Sequence, residues 1–183
     1  MKKIYAGMLM MLTTTFCSCA GLLQSPELYE DEIEDAVKFY IATADYTVET
    51  YGGLLEFDMY LGYSNTADLF LESLDEMGDA VDDLYTSYDI SYEEALKRMA
   101  GNPNNKFAKE AKSILENYRS TSISLSDYEA SSTRSDYKSW TFKELHSGIT
   151  FLFEIENLQS DTPTFSCSPV EASYFNYLEK HFN

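Results

Sequence analysis

Basic residues are scarce in this chain: 13 Lys and Arg stand against 31 Asp and Glu, a formal net charge of −18 over 183 residues. A surface of that sign repels phosphate backbones and anionic headgroups, which excludes nucleic acid as a partner. Histidine is limited to His146 and His181, and no His-Glu-x-x-His, Cys-x-x-Cys or Glu-x-x-His spacing occurs. Metal centres with locally spaced ligands are therefore excluded, and no cofactor is implied. The calcium-loop pattern, the Gly-x-Ser-x-Gly elbow and a phosphate-cradling glycine loop are also missing. Three cysteines are too few for a disulfide scaffold. No apolar run reaches the roughly 20 residues that a membrane-spanning helix needs. An enzyme whose residues are scattered along the chain survives all of these absences.

What the chain does have is aromatic mass, with 15 Tyr and 11 Phe, and that points to a folded core rather than a disordered chain. It also has a sharp charge partition. Residues 25–94 hold 20 acids and one base, Lys38, whereas residues 95–183 hold 11 acids and 10 bases. Within the second part, residues 97–119 carry six bases and two acids, so this stretch is suited to lie against acidic helices. The acidic part favours a basic partner, chiefly through a faster encounter. A solvated coat that keeps the protein soluble would use the same residues.

The first residues have a distinct pattern. Lys2 and Lys3 precede an apolar stretch over residues 4–12, and small residues surround Cys17 and Cys19. A basic start, a short apolar core and a small-residue exit form a secretion signal. With a cysteine at its exit, the segment resembles a bacterial lipoprotein precursor. In that family a peptidase cuts before a cysteine carrying a diacylglyceryl thioether, and small residues precede the cut. Cys19, preceded by Ser18, fits that position better than Cys17, preceded by Phe16. Phe16 also stands where the family usually has an aliphatic residue, which is a departure. The resemblance implies a signal peptide over residues 1–18, lipid on Cys19, a tether to residue 25 and one acidic, mainly helical domain over residues 26–183. Ala20 follows Cys19, so the sorting logic of the family favours the outer membrane over the inner one. Processing leaves Cys167 as the remaining thiol, read as a packed side chain rather than a nucleophile.

Periodicity predicts the elements. Ser25 and Pro26 open a first helix whose stripe is Ile33, Val37, Tyr40, Ile41, Ala44, Val48 and Tyr51. Gly52-Gly53 marks an end, a kink or a close crossing. A second helix, capped by Ser64 or Asn65, carries Phe70, Leu74, Met77, Val81, Leu84 or Tyr85, and Tyr88 on its apolar side. Ser91 and Glu94 form a capping box for a short helix that ends at Gly101-Asn102-Pro103. Phe107, Ala111, Ile114, Leu115 and Tyr118 stripe a fourth helix. The period then changes to two: Trp140 and Phe142, then Ile149, Phe151, Phe153 and Ile155, joined by Leu145-His146-Ser147-Gly148 as a hairpin. Residues 120–135 and 160–169 read as loops, the first with room for a short strand at Ile123 and Leu125. Ser168, Pro169 and Glu171 read as the start of a last helix. The predicted class is α+β: four to five helices with a C-terminal antiparallel β-hairpin.

Candidate chemistry is sparse. Asp75, Asp79 and Asp82 share one face of the second helix and, with Tyr85, form the predicted partner-binding surface, because tyrosine among acids suits a basic protein. Glu154 and Glu156 lie on one strand face, the arrangement a carboxylate-dependent hydrolase would need. The expected function is a non-catalytic, lipid-anchored envelope protein of the immunity or assembly type that binds a basic protein. The alternatives are an envelope carbohydrate-binding lipoprotein, for which exposed Tyr and Trp140 in a groove would argue, or a small hydrolase.

Overall fold

The computed structural model of the protein describes residues 4–5, 25–61, 65–160 and 163–182. The segment predicted as a signal peptide, Cys17 and Cys19 lie outside the described residues, apart from a two-residue strand, β1 (Ile4–Tyr5). The class is α+β, with five helices and an antiparallel sheet at the C-terminal end. The described chain divides into two compact units. One comprises the residues up to Val37 with Ile123–Glu171; the other comprises Lys38–Ser122 and the residues from Ala172 onward.

The helical unit follows the apolar periods closely. The chain enters helix at Pro26, as expected, but as a 3-10 turn (Pro26–Tyr29), and Ser25 supplies its carbonyl rather than its hydroxyl, accepting from the Leu28 N–H at 3.3 Å. α1 (Glu30–Leu61) begins with Glu30, Asp31 and Glu32, where the helix dipole favours negative charge. It runs through Gly52-Gly53 without ending. A Cβ built on Gly53 meets nothing within 4 Å, so that glycine does not mark a close helix crossing. α2 (Asn65–Tyr88) follows. α3 (Tyr92–Gly101) has the predicted cap, with the Glu94 N–H donating to the Ser91 hydroxyl at 3.3 Å. α4 spans Ala108–Ser120. Phe39, Ala42, Met77, Val81, Tyr92, Leu96, Met99, Ala111 and Ile114 are buried in this unit. Lys106 pairs with Glu76 of α2, and Arg119 of α4 pairs with Glu93 of α3 at 2.9 Å. Of the two pairs, Lys106–Glu76 joins the basic stretch to the acidic α2, whereas Arg119–Glu93 joins α4 to α3; exposed pairs of this kind contribute little stability.

In the sheet unit the strand order is β1-β5-β4-β3-β2, all antiparallel. The strands are β2 (Glu129–Thr133), β3 (Tyr137–Lys143), β4 (Thr150–Glu156) and β5 (Thr164–Pro169). The β3–β4 hairpin is the predicted one, with Trp140 opposite Phe153 and Phe142 opposite Phe151. Opposed residues share a face. Trp140, Phe142, Phe151, Phe153, Ile155, Phe165 and Cys167 make the apolar face, and Tyr29 packs on it with its ring 4.3 Å from Phe165. Tyr137, Ser139, Glu154, Glu156, Thr164 and Ser166 make the polar face.

Two strands lie where the sequence reads as loop. β2 is short, polar and exposed, and its register shifts between Ala130 and Ser132, so it carries no apolar alternation. β5 is Thr-Phe-Ser-Cys-Ser-Pro; its small polar residues are buried beside β4, which hides the period. Ser168 and Pro169 end that strand instead of capping the last helix, and α5 starts at Glu171 (Glu171–Phe182). No helix among the described residues is long and apolar enough to cross a membrane.

Candidate functional sites

Packing divides the acidic face of α2. Asp79 is exposed, as expected of a surface charge. Asp82 is not on that surface: both of its carboxylate oxygens are shielded from solvent, and its charge acts on the Tyr92 phenol. The Asp75 side chain lies outside what is described. The outward stripe on α2 consists of Glu76, Asp79 and Asp83, spaced three and four residues apart and all exposed.

Tyr85 also turns inward. It is half-buried and stacks on Tyr92 at 4.6 Å, and Tyr92 stacks on Phe39 of α1 at 4.9 Å. Burial pushes the Tyr92 phenol well above its ordinary range, and Asp82, Tyr40 and Tyr85 push it further. Its proton therefore stays on. Tyr46 is buried too, while Tyr51 is half-buried. Of the described tyrosines in the acidic part, Tyr88 is the exposed one, at 61%, and the Arg98 guanidinium lies 5.1 Å from its ring centre. Among the described residues of this acidic part, the exposed charges are thus joined by one exposed tyrosine.

The sheet unit holds a second buried carboxylate, which the sequence reading missed. Glu144 is 1% exposed. Its Oε1 accepts from the backbone N–H groups of Ser124 and His146, both at 3.1 Å, and meets His146 Nδ1 at 2.8 Å. Its Oε2 accepts from the Ser147 N–H and hydroxyl, each at 2.7 Å. Burial alone would raise the pKa of Glu144; the hydrogen bonds overcome it and hold the carboxyl at about 2. Ser, His and Glu meet here, but not as a nucleophilic triad. Serine and histidine both bond to the carboxylate, and no bond joins the serine hydroxyl to the imidazole. The chemistry is that of a pinned turn, completed by Gly148 at φ +74°.

Cys167 is 1% exposed, and burial pushes its thiol far up, so it is a packed side chain and not a nucleophile. Trp140 faces the apolar side, 5.9 Å from Phe153, and is buried rather than in a groove. Glu154 and Glu156 do share the polar face. Glu154 accepts from the Tyr137 hydroxyl at 2.5 Å and the Ser166 hydroxyl at 3.3 Å, which fixes it in place. Glu156 lines a cleft of about 400 Å³ with Arg134, Asp136, Tyr137 and Asn157.

The chain matches no family model, no curated protein and no solved structure. Its function therefore has to be argued from these residues.

Proposed function

We propose that the chain is a lipid-anchored cell-envelope protein that binds a basic partner protein through the acidic surface of its helical unit. The observation that carries this reading is the charge partition joined to exposure. Residues 25–94 hold 20 acids and one base, and in the helical unit Glu49, Glu76, Asp79, Asp83 and Asp89 are exposed. The base, Lys38, is itself occupied, with its ammonium 4.8 Å from the ring centre of Tyr118. A one-signed surface accelerates the approach of an oppositely charged protein and repels nucleic acid. The lipid on Cys19, with delivery to the outer membrane, rests on the resemblance of the first 21 residues to a lipoprotein precursor.

Two experiments test the two parts of this reading. Cells fed a labelled fatty acid should label the wild type and the Cys17→Ala variant but not Cys19→Ala; label on Cys19→Ala would refute the anchor. Lipidated protein extracted from native envelopes should retain a basic partner in low salt and release it in high salt. Retention that ignores salt would refute the electrostatic surface.

A further inference from the structure

We propose a second binding site in the sheet unit: the cleft lined by Arg134, Asp136, Tyr137, Glu156 and Asn157 takes a neutral saccharide. Its volume, about 400 Å³, lies within the range of small-molecule sites. The backbone holds its walls. Tyr137 opens β3 and pairs with Glu156 at the end of β4. The Arg134 N–H donates to the Tyr137 carbonyl at 2.7 Å, and the Leu158 N–H donates to that of Asp136 at 3.2 Å. Asn157 sits at φ +57°, a conformation asparagine tolerates, and so closes the strand at the cleft. The Tyr137 hydroxyl donates to Glu154, which fixes the ring that supplies the aromatic surface of the lining.

The lining chemistry selects the ligand class. One guanidinium, two carboxylates, an amide and a phenol converge on the cleft. A simple anion meets two carboxylates, and a simple cation meets Arg134. Arg134, Asp136 and Asn157 are exposed, so Coulomb attraction there is screened and contributes little. A ligand must hold on through many hydrogen bonds at once. Vicinal hydroxyls do this: they donate to the carboxylates and accept from the guanidinium and the amide. An amino acid zwitterion matches one charge pair and leaves the second carboxylate without a counterpart. The site is independent of the acidic helical surface.

The test is a nitrogen–proton NMR titration of the processed chain with glucose, galactose, mannose and N-acetylglucosamine, using glycine and sulfate as controls. At least one sugar should give saturable shifts confined to the amides of residues 134–137 and 156–158. Glu156→Gln and Arg134→Ala should each weaken that sugar about tenfold, the effect of losing one hydrogen bond to a charged group. Asn157→Gly keeps the backbone conformation available and should also weaken it. Because Arg134 is exposed, its variant keeps the test valid if another variant fails to fold. No sugar shifting these amides, or glycine shifting them alone, would overturn the proposal. So would a sugar response left intact in all three variants.

Discussion

Among the described residues each unit shields one carboxylate from solvent, and the two are accommodated by different means. In the sheet unit Glu144 is held by backbone N–H groups, a hydroxyl and an imidazole, all within a tight turn and the segment beside it. In the helical unit the charge of Asp82 on α2 acts on the phenol of Tyr92 on α3, which sits in an aromatic stack. The first arrangement is local, and its cost of burial is offset by several donors at once. The second is tertiary and ties one helix to the next. Buried polar groups of either kind must be satisfied or they destabilise the fold. Losing donors should therefore be costly at Glu144, while losing charge should be cheap at Asp82.

The largest effect is expected at Glu144. Glu144→Gln replaces an acceptor with an NH₂ group facing the Ser147 donors, and should cost roughly 3 kcal/mol in chemical denaturation. The pH dependence has a fixed sign. The folded value, about 2, lies below the ordinary 4.5, so the folded state binds this proton more weakly than the unfolded one. The stabilisation is complete above about pH 4.5 and is lost as pH falls toward 2. The gap between wild type and Glu144→Gln should narrow over that window. A gap that stays constant with pH would mean that Glu144 acts through shape alone.

Next comes the Asp82–Tyr92 pair. Tyr92→Phe should cost about 2 kcal/mol, because it replaces a polar group beside a shielded carboxylate with an apolar edge. Asp82→Asn should cost less, since a neutral amide is easier to shield from water than a charge. Combining the two should give less than the sum, and a coupling energy near zero in the double-mutant cycle would separate the two residues. Smaller still is the outward stripe: Glu76→Gln, Asp79→Asn and Asp83→Asn together should change stability by no more than about 0.5 kcal/mol. The smallest effect is at Cys167. In a chain lacking Cys17 and Cys19, reductant should leave the melting temperature unchanged, and thiol reagents should react only on unfolding. Rapid modification of the native protein would contradict the burial of Cys167.

The same contrast explains what was legible in the sequence. α3 was readable to its cap because Ser91 and Glu94 act within one turn. The β3–β4 hairpin was readable because Trp140, Phe142, Phe151 and Phe153 alternate across a short loop. Asp82 was misread because a helical wheel places it with Asp75 and Asp79, while its partner lies ten residues on, across a helix junction. β5 was misread because Thr164 and Ser166 are buried along with Phe165 and Cys167, and its one strongly apolar residue, Phe165, is too little to show a period. Glu144 left a faint clue: a carboxylate followed by His, Ser and Gly at the point where two strands turn. The cleft could not be foreseen, since Arg134 and Glu156 meet only when β3 and β4 pair.

The central claim is that the outward acidic stripe of the helical unit governs association with a basic partner. It is tested most directly by measuring association and dissociation rates over a salt series, using the partner recovered from envelopes, wild-type protein and the Glu76→Gln/Asp79→Asn/Asp83→Asn variant. The account predicts a wild-type association rate that falls steeply as salt rises, a slower and flatter rate for the variant, and dissociation rates that differ much less. Association that is independent of salt and equal in both proteins would contradict it, and would leave the acidic surface as a solvated coat.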